Sequence, residues 1–175
     1  LKMLLRRFGI TGTIFLLFFI SQEAVVNQLS FPAGGFSIFL ILTLLWAALS
    51  TPEVAATVGF GAGILLDLSP STSGPLGHWT LILVLISYAI SFLSYGDENK
   101  RGNPLSLILM VTLAQVIVLA SYLVTGFLLG NTATSFTQTL TTIIGSAVWT
   151  MVVTPLLLPA VAWLHDLAFD SRMRI

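Results

Sequence analysis

Six apolar stretches separated by short polar segments make up most of this chain of 175 residues. They cover residues 8–26, 36–49, 54–68, 78–95, 105–129 and 140–164. A helix that crosses the hydrocarbon core of a membrane needs about 20 apolar residues. Only 8% of the residues are charged, against roughly 25% in a soluble domain, so the composition argues against soluble and nucleic-acid-binding classes. We predict an all-α integral membrane protein, one domain over 1–175 with six transmembrane helices.

The positions of the basic residues predict how these helices are oriented. All seven lysines and arginines fall in three places: the N-terminus, the loop 96–103 and the C-terminal tail. Basic loops stay in the cytoplasm, so the three places should share one side. Six crossings satisfy this condition and put both termini in the cytoplasm. Five crossings, in which the second and third stretches are fused and together count as one, would put the N-terminus and the loop 96–103 on opposite sides. A cleaved signal peptide is disfavoured, because no A-x-A-like site follows the first stretch.

The third stretch is unusual because it is short and rich in glycine. Its 15 residues would span only ~22 Å as a helix. Ala55, Gly59, Gly63 and Asp67 recur every four residues and therefore form one stripe along the helix. Small residues at this spacing let another backbone approach closely. Two interpretations of Asp67 stay open: it accepts hydrogen bonds within the turn Ser69–Gly77, or it contacts a partner or ligand.

The remaining polar residues do not form a known catalytic pattern. The chain has no cysteine, no H-E-x-x-H and no G-x-S-x-G, which are signatures of thiol, zinc and serine chemistry. The two histidines, His78 and His165, lie at opposite predicted membrane faces, and His165 with Asp166 is expected at a solvated interface. Gln115 and Tyr122 share a helix face, where they bond across helices or line a small cavity. We expect no enzyme activity, no cofactor and no metal.

Tryptophan positions agree with the predicted span ends. Trp46, Trp79 and Trp163 fall near those ends, where membrane interfaces favour tryptophan. Trp149 lies within the last span and is expected to pack between helices.

The segment 59–93 resembles the rod shape-determining membrane protein family MreD. The family shows a G-x-x-x-G-x-x-x-D-x-x-P pattern, matched here by Gly59, Gly63, Asp67 and Pro70, followed by a Leu-Gly pair that opens the next span, matched by Leu76-Gly77. Thr80 stands where alanine is common in the family, and Ser87 and Ser91 stand where glycine is frequent. The detailed pattern covers about 35 residues, and the rest agrees in size, span count and basic start.

The resemblance implies a non-enzymatic role in rod-shape maintenance and lateral peptidoglycan synthesis in a bacterial cytoplasmic membrane. The implied partner is a MreC-like bitopic membrane protein, with indirect links to MreB and to a peptidoglycan glycosyltransferase and its transpeptidase. The site residues that it implies for partner binding or structure are Gly59, Gly63, Asp67, Pro70 and Gly77. The surrounding partner is the lipid bilayer, and no nucleic acid is expected.

The family is also similar in fold to the substrate-binding S components of energy-coupling-factor vitamin transporters, which gives an alternative function. S components commonly carry an A-x-x-x-A-like pattern on the first span for docking to the coupling subunit. The first span here offers Gly9-x-x-Gly12, whose spacing differs from that pattern. The sequence therefore favours the scaffold over the transporter.

The predicted topology has a direct test with reporter fusions. A reporter that is active only outside the cytoplasm should work when fused at Asn131 and fail at Asn99, because the basic loop stays inside. Activity at Asn99 and silence at Asn131 would contradict six crossings with a cytoplasmic N-terminus.

Overall fold

The computed structural model describes residues 2–28, 34–70, 72, 75–94, 103–128 and 136–169, and this part is helical with no strand. The α-helices are α1 (Lys2–Ala24), α2 (Ile38–Leu49), α3 (Pro52–Asp67), α4 (His78–Ser94), α5 (Pro104–Leu128) and α6 (Phe136–Phe169), and a short 3-10 turn (Val26–Gln28) follows α1. Each helix overlaps one predicted apolar stretch. Most of the predicted loop 96–103, the segment 130–135 and the tail from residue 170 lie outside the described residues.

Three helical stretches in the described chain are long and apolar enough to cross a membrane: Arg7–Gln28, Pro104–Leu128 and Thr137–Phe169. Two shorter helices, α2 and α4, are also apolar. Helices of this length and composition are typical of a membrane protein. The 12 residues of α2 span only ~18 Å and the 16 residues of α3 only ~24 Å, both less than the ~30 Å hydrocarbon core.

The short helix α2 forms the centre of the bundle. Ten of its 12 residues are buried, and α2 contacts each of the other five described α-helices. Its sequence is apolar on every face, which is the pattern of a helix enclosed by protein. Phe39 and Trp46 are fully buried, and both meet the ring of Phe15 from α1 edge-on. Trp46 does lie near the end of α2, but its indole is buried in the core and not exposed at an interface.

Polar side chains pair with backbone groups at both ends of α2. At its start, the Ser37 hydroxyl accepts a hydrogen bond from the Leu40 amide (3.2 Å), and the buried Gln22 side chain of α1 accepts one from Ile38 (2.9 Å). At its end, Ser91 and Ser94 of α4 donate to the carbonyls of Ser50 (2.7 Å) and Ala48 (3.0 Å). A helix leaves four amides and four carbonyls unpaired at its ends, and burial makes such groups costly.

The start of α1 and the end of α6 lie at the same end of the bundle. The Arg7 guanidinium donates to the Phe169 carbonyl (3.3 Å) and stands 5.7 Å from the centre of the Phe169 ring. His165 also lies at this end, where its ring is within 3.2 Å of the Ser50 hydroxyl and packs against Trp46. The expected solvated position is thus wrong for His165, whose side chain is 15% exposed, although the Asp166 side chain is 77% exposed.

Candidate functional site

The predicted glycine stripe of α3 faces α4 within the same chain. A Cβ atom at Gly63 would lie 2.3 Å from the Cα atom of Thr80. A Cβ atom at Gly59 would lie 2.6 Å from the Leu83 carbonyl oxygen and 2.8 Å from the Ser87 hydroxyl. Such contacts are far inside van der Waals distance, so the two backbones approach as closely as they do because these positions are glycine. The third glycine, Gly61, has no atom within 4 Å of its Cβ position and faces away from α4.

Asp67, at the end of the stripe, caps the first turn of α4. Its Oδ2 accepts hydrogen bonds from the Gly77 amide (3.0 Å), the Thr80 amide (3.1 Å) and the Thr80 hydroxyl (2.5 Å), while Oδ1 accepts from the Trp79 amide (2.9 Å). These amides belong to the group that a helix N-terminus leaves unpaired. A carboxylate here also interacts favourably with the positive end of the helix dipole.

The turn between α3 and α4 is shaped for this capping contact. Gly77 has a φ of +92°, a conformation that glycine adopts without steric cost, and it immediately precedes α4. Pro70 is exposed two residues after the C-cap residue Leu68, where proline is common because it cannot continue a helix. The Thr72 hydroxyl donates to the Leu66 carbonyl (2.9 Å). Residues 71, 73 and 74 of the predicted turn lie outside the described part.

A layer of aromatic and polar side chains extends the site from α4 to α5. The Tyr122 ring stacks on both His78 and Trp79, with ring centres 4.5 Å and 4.3 Å apart, and the His78 ring is hydrogen-bonded to the Thr125 hydroxyl. On the other side of the turn, the Ser69 hydroxyl donates to the Glu23 carboxylate of α1 (2.6 Å). The first turn of α4 is thus fixed to α3 and α5, and the end of α3 is tied to α1.

The structure brings Gly59, Gly63, Asp67 and Gly77 together along one hairpin, with Pro70 exposed at its turn. Two residues that depart from the family pattern also have roles here. Thr80 donates to Asp67, and Ser91 donates to the end of α2. In the sequence, Thr80 and Ser91 are only departures from the family pattern, because a single sequence does not show which helix end a hydroxyl group will contact.

The predicted pair of Gln115 and Tyr122 does not act as one polar unit. Gln115 is 1% exposed and its side-chain oxygen has no hydrogen-bond partner in the described chain. Tyr122 instead stacks in the aromatic layer. Nowhere in the described ranges do three or more His, Asp or Glu residues group so that they could hold a metal ion. The arrangement around Asp67 therefore supports capping and packing chemistry, in which the carboxylate accepts four hydrogen bonds from its own chain.

Comparisons with protein-family models, curated proteins and solved structures give no match.

Replacing Asp67 should destabilise the hairpin. Asp67→Ala leaves the amides of Gly77, Trp79 and Thr80 without their acceptor, and hydrogen bonds to a charged group contribute about 1.5–3 kcal/mol each. Because water and neighbouring groups compensate in part, we expect the free energy of unfolding to fall by about 2–3 kcal/mol. The measurement is an unfolding titration of the purified protein in mixed micelles. Asp166→Ala makes the same change at an exposed side chain and should shift the titration little; equal effects would contradict the capping role.

The glycine contacts predict a second pair of variants on α3. Gly63→Ala places a methyl group against the Thr80 backbone, which has no flexible end to move, and overpacking of this kind costs about 1–3 kcal/mol or more. Gly61→Ala adds the same methyl group to open space on the same helix and should leave stability unchanged or raise it by up to ~1 kcal/mol. Thermal unfolding in detergent measures both. Equal stability of the two variants would show that α3 and α4 do not pack as described.

Proposed function

We propose that this protein is a six-span, non-enzymatic membrane scaffold with both termini in the cytoplasm, and that it acts in rod-shape maintenance with a MreC-like bitopic partner. The observation that carries the proposal is the structural use of the motif residues. Gly59, Gly63, Asp67 and Gly77, which carry the resemblance to the MreD family, together build the α3–α4 hairpin. Because the motif residues contact their own chain and shape the hairpin, they suit a scaffold better than an enzyme.

The positions of the basic residues and the contact between α1 and α6 support the proposed orientation. The contact between Arg7 and Phe169 puts the start of α1 and the end of α6 at one end of the bundle, which agrees with an even number of crossings. The proposal assigns all seven basic residues of the sequence to one side of the membrane, as the positive-inside rule requires. Asp67 and the α3–α4 turn lie at the opposite end, which the proposal places outside the cytoplasm.

We also infer which faces of the bundle a partner helix would use. Because the glycine face of α3 is covered by α4, partner helices must use the outward faces of the bundle. Phe60 and Ile64 of α3 and Leu81 and Leu85 of α4 are exposed and are available for such contacts. The effect of Asp67 and Gly63 on a partner is then indirect and follows from the shape of the hairpin.

Depletion of the protein in the bacterium that carries it tests the proposed function. We expect rod-shaped cells to become round and wall synthesis to lose its position, and a tagged copy to purify together with a MreC-like protein. Re-expression of the wild-type chain should restore the rods. Unchanged cell shape together with loss of vitamin uptake would contradict the scaffold and favour the alternative, an S component of an energy-coupling-factor transporter.

A further inference from the structure

A groove between α1 and α3 begins near Arg7 and Glu53 and follows α3 as far as Leu65. It has a volume of about 360 Å³, within the range of about 300–1,000 Å³ found for ligand pockets. Its walls are mostly apolar and come from Phe8 and Phe15 on one side and Val54, Val58 and Leu65 on the other. The groove is separate from the α3–α4 hairpin contact, because it uses the other face of α3.

Two glycines keep this groove open. Gly12 of α1 and Gly61 of α3 both line it, and neither has an atom within 4 Å of its Cβ position. They differ from Gly59 and Gly63, whose Cβ positions are occupied by α4. Glycine costs a helix up to ~1 kcal/mol relative to alanine, and here no helix contact offsets that cost. What the two glycines provide is the space in the groove.

Opposite charges stand at the end of the groove near Phe169. Arg7 and Glu53 both border it. The Arg7 guanidinium is held by the Phe169 carbonyl and ring, and no carboxylate of the described chain lies within salt-bridge distance of it. A guanidinium has five N–H donors, so Arg7 keeps donors for a further acceptor. Since Arg7 begins the apolar stretch of α1, a membrane that α1 crosses would place its guanidinium at headgroup level.

We propose that this groove binds a phospholipid with a zwitterionic amine headgroup, such as phosphatidylethanolamine. One acyl chain lies along the groove past Gly12 and Gly61, the phosphate accepts hydrogen bonds from Arg7, and the ammonium group pairs with the Glu53 carboxylate. Guanidinium groups match phosphate oxygens in geometry and charge. A purely anionic headgroup would bring a second negative charge towards Glu53, which is unfavourable.

The lining of the groove favours a lipid over a partner helix. Its walls are apolar along most of its length, and two opposite charges, Arg7 and Glu53, border one end. A zwitterionic phospholipid has the same arrangement, with an alkyl chain that ends in a phosphate and an ammonium group. This argument holds whichever function the bundle serves.

The test compares two leucine substitutions at open glycines. Wild-type protein and the variants Gly61→Leu and Gly126→Leu are reconstituted in nanodiscs of equal parts phosphatidylethanolamine and phosphatidylglycerol, re-extracted in mild detergent, and analysed for retained lipid by native mass spectrometry. Gly126 also has no atom within 4 Å of its Cβ position but lies on α5, outside the groove. Retained phosphatidylethanolamine should fall roughly fivefold or more in Gly61→Leu, because the side chain fills the groove, and stay unchanged in Gly126→Leu.

The headgroup assignment is tested in the same assay with Arg7→Gln and Glu53→Gln. Arg7→Gln should reduce retention of both lipids, while Glu53→Gln should shift the retained lipid several-fold towards phosphatidylglycerol, because it removes the negative charge. Thermal unfolding of every variant verifies that it is folded. Equal retention by Gly61→Leu and Gly126→Leu would overturn the site, and an unchanged lipid ratio in Glu53→Gln would overturn the choice of headgroup. Loss of a co-purifying single-pass protein from Gly61→Leu, with lipid retention unchanged, would assign the groove to a helix instead.

Discussion

The structure depends on pairing the backbone groups at the ends of short helices that are enclosed in an apolar bundle. Neither protein interior nor lipid offers water to an unpaired amide or carbonyl, so each end must find a side chain. The start of α2 uses Gln22 and Ser37, and its end uses Ser91 and Ser94. The chain has few polar residues to spare, and several of them are committed to these positions.

The same requirement explains why α3 and α4 are built as a tight pair. Asp67 satisfies the first turn of α4, but it reaches those amides only if the two helices lie close together. Gly59 and Gly63 allow that approach because a Cβ atom at either position would collide with α4. Close packing at the two glycines and capping by the Asp67 carboxylate thus depend on each other.

The sequence predicts the helical fold well because apolar periodicity and breaker residues act locally. Pro52 and Pro104 both begin helices in the structure, at the first helical position where proline is favoured. The stripe of Gly59, Gly63 and Asp67 is also readable, since it depends only on the helical repeat. The helix that packs against the stripe cannot be predicted in the same way, because a single sequence does not show whether that helix is α4 or belongs to another protein.

The sequence misses contacts that depend on how distant segments pack. Trp46 is a tryptophan near a predicted span end, which favours an interfacial side chain, yet its indole is fully buried against Phe15 and His165. Gln22 has no pattern that marks it as the cap of a helix 16 residues away in sequence. The groove between α1 and α3 is equally hidden, because it exists only where Gly12 and Gly61 face the same space.

Amide hydrogen–deuterium exchange in lipid nanodiscs measures how firmly the two ends of α2 are held. We expect α2 to exchange more slowly than α3 and α4, since side chains pair with backbone groups at both of its ends and its faces are buried. Gln22→Ala should speed exchange at Ile38 and the following turn while leaving the middle of α5 unchanged. Fast exchange throughout α2 in the wild-type protein, or no response of its first turn to Gln22→Ala, would contradict the account.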